Sequence, residues 1–285
     1  MKTSSPLRYP GGKSVLAGLL GDIRKVNGLG NRAMAEPFAG GAGASLTLLY
    51  LEEAHLIYIN DGDPAIHDFW WTLTNRAKPF LDMLANTPVS IAEWRRQREV
   101  YRASSRVSRL KRGFSAFYLN RCNRSGIIMN AGPIGGTTQA GKWKIDARFN
   151  KDALSRRCER VSEYRDRIHV SCYDGIDFLE RIEPESTFFF VDPPYFNKGP
   201  TLYLNALDED YHAALAAKLK AMQDAAWILT YDDCPEIRRM YRGWASVRRF
   251  SLRYSAAERR YGKELLITPK WMRLPKRQTS AAISW

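Results

Sequence analysis

Apolar positions along the chain follow two spacings. Residues 14–26 place Val15, Leu16, Leu19, Leu20, Ile23 and Val26 at helical intervals, so one face of a helix should be buried. Residues 55–60 (HLIYIN) form a short apolar run ending at Asp61, the pattern of a buried strand. Asp63-Pro64 follows, a capping carboxylate and then a proline at the first helical position, and predicts a helix through AIHDFWWTL. The runs 168–172 (IHVSC), 186–191 (STFFFV), 226–231 (AWILTY) and 264–268 (ELLIT) read as further strands. Residues 208–224, with an acidic first turn and an alanine-rich body, read as a helix. Alternation of this kind predicts an α/β fold, with helices packed on a largely parallel sheet.

The alternation breaks down between about residues 75 and 145. Residues 93–113 hold Arg95, Arg96, Arg98, Arg102, Arg106, Arg109, Lys111 and Arg112 against only Glu93 and Glu99. The stretch 120–143 is rich in Gly and Asn and carries too many turn formers for regular elements. We read 76–146 as an insertion of helices and loops, flanked by 1–75 and 147–269 as the two parts of the main domain. The tail 270–285 is expected to be loosely ordered, and the tryptophans Trp70, Trp71, Trp94 and Trp143 to serve packing.

Charge sharpens this picture. The 285 residues contain 44 Lys and Arg against 30 Asp and Glu, a net +14. The resulting pI near 9.7 favours a polyanionic partner. No apolar run is long enough to cross a bilayer, and MKTSSPLRYP lacks the apolar core of a signal peptide, so a cytoplasmic protein is expected. Cys122, Cys158, Cys172 and Cys234 form no C-x-x-C pair, and His55, His67, His169 and His212 are scattered; no metal is expected.

Two motifs carry chemistry. In Glu36-Pro-Phe-Ala-Gly-Gly-Ala-Gly43, glycines between a strand and a helix let backbone approach a ligand closely. Asp61 closes the next strand 18 residues after Gly43, where a carboxylate can bind ribose hydroxyls. Leu46 stands where a dinucleotide fingerprint needs its third glycine, so a different nucleoside-containing cofactor fits better than NAD. The second motif is Asp192-Pro-Pro-Tyr195, after the strand at 186–191. It places a carboxylate, a free carbonyl and a flat ring on the sheet edge where ligands bind. That equipment suits methylation of an exocyclic amine, a poor nucleophile whose lone pair is delocalised into its heterocycle. Asp192 and the Pro193 carbonyl can each accept one N–H, turning the lone pair toward an electrophile.

With these motifs in this order, the chain from about Leu7 to Pro269 resembles the Dam-like DNA adenine N6-methyltransferases. Arg8-Tyr-Pro-Gly-Gly-Lys13 is similar to the family's opening block; it does not fit a phosphate-binding P-loop, since Leu7 stands where glycine is needed. The resemblance implies a Rossmann-like S-adenosylmethionine-dependent sheet with an inserted target-recognition domain. It also implies that Tyr9, Lys13, Glu36, Phe38, Gly40, Asp61, Asp177, Phe178 and Asp192 surround S-adenosylmethionine, and that Asp192, Pro193, Pro194 and Tyr195 are the catalytic motif. Asp63 departs from the family's N-D-x-N, and Cys122 to Met129 departs from the G-A-T-C-specific enzymes, so no target sequence is carried over.

The expected partner is duplex DNA, from which adenine must be flipped for chemistry. Arg8, Arg121, Asn123, Arg124, Ser125, Lys142, Arg248, Arg249, Arg259 and Arg260 are the candidate DNA contacts. Most arginines between residues 95 and 112 read as a solvated helix face. The alternatives are cytosine N4 methylation, an RNA substrate, or a catalytically silent DNA-binding protein; Asp192 favours adenine over cytosine. A bacterial or phage-encoded monomer or weak dimer, with or without a cognate restriction endonuclease, completes the expectation.

Overall fold

The computed structural model describes residues 4–8, 13–103, 106–196, 207–255, 259–275 and 283–284. In chain order, a 3-10 turn at Lys13–Leu16 leads into α1 (Ala17–Val26), β1 (Ala33–Glu36), α2 (Gly43–Tyr50) and β2 (Ile57–Asn60). Next come α3 (Pro64–Asn75), α4 (Ala77–Asn86), α5 (Ile91–Arg102), α6 (Arg109–Cys122), α7 (Lys151–Glu163) and β3 (Ile168–Ser171). The remainder is α8 (Gly175–Arg181), β4 (Thr187–Val191), α9 (Glu209–Ala221), β5 (Ala226–Asp232), α10 (Pro235–Tyr241), β6 (Ala245–Ser255), β7 (Arg259–Pro269) and β8 (Ile283–Ser284). These elements divide into two compact units. The sheet unit comprises Lys13–Asn60 and Tyr173–Trp285, and the helical unit comprises Met1–Gly12 and Asp61–Cys172.

Within the sheet unit the strands lie in the order β2-β1-β4-β5-β7-β6-β8. The first four are parallel, with Ala35 opposite both Tyr58 and Phe189, and Phe189 opposite Trp227. β7, β6 and β8 pair antiparallel. Every residue of β4 and β5 is buried, which accounts for their unbroken apolar runs: helices leave a parallel strand no solvated face. From β1 the chain moves outward on one side to β2, whereas β4 takes the other side. Neighbouring loops therefore diverge above the C-terminal ends of β1 and β4, opening the crevice where such sheets bind ligands. The tail expected to be loose is docked at its start: Met272 is buried, and the Arg273 amide donates to Asn27 Oδ1. A short stretch of backbone and side-chain partners holds it despite its polar sequence.

The helical unit packs around aromatic rings. Phe69 stacks on Phe117 at 5.7 Å between centroids, and Phe80 meets Phe69, Phe114 and Phe117 edge-on. Gly113 permits close approach of α6 to α3, because a Cβ there would lie 2.6 Å from the Phe69 nitrogen. Asp63 caps α3 by accepting from the Ala65 amide and also accepts from Tyr101 Oη. Asp68, fully buried, accepts from Arg112 and lies 2.9 Å from His67 Nδ1. The 76–146 segment lies within this unit, which extends beyond it on both sides and also takes in the first twelve residues. Trp70 and Trp94 are buried as expected, but Trp143 is 65% exposed and packs no core. On α5, Arg95, Arg96, Arg98 and Arg102 face solvent.

Candidate active site

The glycine-rich turn after β1 is held from beneath. Glu36, buried at the end of β1, accepts from the Ser45 amide at 2.8 Å, tying the strand to the first turn of α2. Burial pushes its carboxyl up to about 7, and the Asp192 charge adds to the rise. Gly40 (φ 46°) and Ala42 (φ 45°) both take the left-handed conformation, which makes the turn tight. Gly43 admits the Ser14 side chain, since a Cβ on it would lie 2.1 Å from Ser14 Oγ. Asn60, at the end of β2, donates to the Pro37 and Tyr173 carbonyls and accepts from the Tyr173 amide, fastening three loops together.

Phe38, half-buried, lies against Gly175, where a Cβ would be 2.2 Å from its ring. Asp177 is exposed in the first turn of α8, two residues on. A glycine turn, an apolar ring and a carboxylate on one sheet edge fit a nucleoside cofactor. Two expected cofactor residues are buried. Phe178 is 1% exposed and packs into the core with Leu179 and Leu215, because α8 turns it toward the sheet. Glu36 is a buried brace for the turn. Asp61 belongs to the helical unit, where its amide donates to the Ser171 carbonyl and its Oδ1 accepts from Asp63. Tyr9 lies outside the described residues.

At the end of β4, Asp192 is partly exposed and its neighbours hold it on one side. Thr230 Oγ1, from the adjacent strand β5, donates to Asp192 Oδ1 at 2.5 Å, and Lys13 Nζ lies 3.3 Å from the same oxygen. Among the described residues nothing bonds Oδ2, so that oxygen stays available to a ligand. Lys13 is buried; it also donates to Tyr195 Oη at 2.6 Å and lies 3.8 Å from the buried Glu264. One ammonium thus links the carboxylate and the ring of Asp192-Pro-Pro-Tyr195. Asp232 Oδ1 accepts from the Phe196 amide at 3.1 Å, and the Tyr231 ring lies 6.4 Å from Tyr195. Beneath them His212 Nδ1 meets Tyr231 Oη at 2.6 Å and packs on Phe196; burial lowers its basicity. Sequence reasoning missed Thr230, Asp232, His212 and Glu264. The signal was Thr230 and Asp232, polar residues at the C-terminal end of an otherwise apolar strand.

In the helical unit the expected DNA contacts separate into two groups. Arg121 and Asn123 are both buried. Arg121 lies in the last turn of α6 and donates to the Arg148 and Pro6 carbonyls; desolvation lowers its pKa to about 9. Asn123 donates to the Ile127 and Ile128 carbonyls and accepts from Trp94 Nε1, so its amide is consumed in shaping the turn. Gly126 (φ +79°) closes against Arg8, where a Cβ would be 2.5 Å from the Arg8 carbonyl oxygen. Arg124, Ser125 and Lys142 are exposed, and Arg8 is half-buried. In the sheet unit Arg248 and Arg249 are exposed on β6, Arg249 pairing with Asp233 at 2.8 Å. The side chains of Arg259 and Arg260 lie outside the described residues.

A Rossmann-like sheet with a glycine turn after its first strand and Asp-Pro-Pro-Tyr after its fourth defines the class of S-adenosylmethionine-dependent methyltransferases that act on amines. The chain belongs to the D12 class N6 adenine-specific DNA methyltransferase family, whose model matches residues 9–256. It is therefore an enzyme that uses S-adenosylmethionine to methylate adenine N6 in DNA. No individual curated protein matches its sequence significantly. Among the described residues no helix is long and apolar enough to cross a membrane.

Proposed function

We propose that the partly exposed Asp192 carboxylate, held at Oδ1 by Thr230 and Lys13, is the catalytic acceptor of the adenine amine. With Oδ1 occupied, Oδ2 takes one N–H of the amine and the Pro193 carbonyl takes the other. Two acceptors on one nitrogen favour a pyramidal arrangement, which withdraws the lone pair from the ring. Bound S-adenosylmethionine supplies an electrophilic methyl group. As the nitrogen becomes positive the Asp192 charge stabilises it, and the same carboxylate is the nearest acceptor for the proton the product amine sheds. Tyr195 stacks on the extruded base, its hydroxyl positioned by Lys13. Phe38, Gly40 and Asp177 are the residues of the sheet unit we assign to the cofactor, with Lys13 bordering it.

The helical unit is the target-recognition part in this reading. Arg124, Ser125, Lys142 and Arg8 serve it, with Arg248 and Arg249 as phosphate contacts from the sheet unit. The observation that carries the assignment is the open Oδ2 of an otherwise fixed Asp192. Asp192→Ala is expected to abolish methyl transfer from labelled S-adenosylmethionine to unmethylated plasmid DNA while retaining cofactor and DNA binding. Near-wild-type turnover by that variant would overturn the assignment.

A further inference from the structure

We propose that Trp143 is the wedge of this enzyme, the side chain that enters the base stack where the target adenine has left it. A ring of this size is normally buried, yet Trp143 is 65% exposed. Its loop is nevertheless tightly held. Gln139, at a left-handed φ of 55°, donates to the Ile134 and Gly136 carbonyls and accepts from the Ile145 amide. Lys144 Nζ donates to the Gln139 carbonyl at 2.6 Å, and the Gly141 amide donates to the Gly135 carbonyl. Gly135 leaves room for the Trp143 carbonyl, which would lie 2.6 Å from a Cβ there. A rigid loop that holds an aromatic ring in water has been built to meet something.

Its surroundings identify the partner as nucleic acid. Exposed lysines stand on both sides, with Lys142 Nζ 5.9 Å from the ring centroid. The loop is also joined to the turn that presents Arg124. The Arg124 amide donates to the Gly132 carbonyl at 3.0 Å, the Ile134 amide to the Cys122 carbonyl at 2.8 Å, and Asn123 bridges Pro133. Arg124, Lys142, Trp143 and Lys144 therefore share one framework. Cations that engage phosphates, with an aromatic ring between them, are the arrangement that binds DNA while offering a stacking face. Extruding a base removes its stacking on both neighbours, and a ring inserted in the gap restores part of it.

The inference rests on the reading that adenine is extruded, and the test separates the two. The recognition sequence is first read from the methylated positions in plasmid DNA. Duplexes then carry 2-aminopurine at the target, a base that brightens when unstacked. With full-length Trp143→Ala we expect the brightening to fall and kcat to drop on the order of ten- to hundredfold. The salt slope of binding should stay unchanged, since the lysines and arginine remain. Trp143→Phe should recover most of the activity, and weakened pairing opposite the target should narrow the defect of Trp143→Ala. Wild-type brightening and kcat in Trp143→Ala would overturn the wedge, as would an altered oligomeric state as its sole effect. A wild-type enzyme that methylates while 2-aminopurine stays dark would overturn base extrusion itself.

Discussion

Thr230→Val tests how much the fixed orientation of Asp192 contributes to the reaction. Valine keeps the shape of the fully buried side chain and deletes only the hydroxyl that donates to Asp192 Oδ1 at 2.5 Å. A hydrogen bond to a charged group is worth about 1.5–3 kcal/mol. Asp192 is 22% exposed at its side chain and retains Lys13 at 3.3 Å, so water and the ammonium recover part of the loss. The remaining cost is about 1–2 kcal/mol, which predicts a fall in kcat of roughly five- to thirtyfold if the bond matters mainly in the transition state. KM for DNA should change little, because Thr230 is fully buried. Thr230→Ser restores the donor and should restore kcat. Steady-state transfer of labelled methyl to plasmid DNA provides both constants, and a thermal melt checks that the fold survives. A Thr230→Val enzyme within twofold of wild-type kcat, or a loss confined to KM, would refute the positioning argument.

Two further outcomes concern stability. Burial raises the Glu36 carboxyl from 4.5 to about 7, so its favourable contribution is complete below its unfolded pKa and is lost as pH rises through 7. The loss is about 3 kcal/mol, and Glu36→Gln should flatten it; urea denaturation between roughly pH 5 and 8 checks this, and equal slopes for both proteins would contradict it. Asp68→Asn strands the Arg112 guanidinium 2.5 Å from its lost charge and should cost about 3 kcal/mol of stability, whereas Glu99→Gln, in a solvated pair with Arg102, should leave the melt unchanged. Similar denaturant midpoints for the two variants would show that burial does not govern these ion pairs.

Much of the centre of the sheet unit is legible in the sequence because β4 and β5 are buried on both faces. An unbroken run such as 186–191 has no other stable home, and in the helical unit Asp63-Pro64 announces α3 through backbone chemistry alone. The two chemical motifs were readable for the same reason, since turn geometry needs glycine at Gly40 and proline removes donors beside Asp192. What escaped was long-range. Arg121 and Asn123 sit among turn formers and look solvated, yet their partners are the Pro6 and Arg148 carbonyls and Trp94, far apart in sequence. Thr230 and Glu264 meet Asp192 and Lys13 only through strand pairing, which no local pattern encodes. Trp143 reads as a packing residue because most tryptophans pack, whereas the glycine-built loop leaves it exposed.

The helical unit is not a cassette. Asn120 holds both the amide and the carbonyl of Arg8, Arg121 reaches the Pro6 carbonyl, and Arg157 reaches that of Ser5. A transplant of residues 61–172 into another scaffold would sever these bonds and leave the buried Asn120 and Arg121 with fewer partners. Exchange of this unit between enzymes, by recombination or by design, therefore requires two pieces of chain inherited together, and a crossover anywhere between them separates the helices from the peptide that completes them.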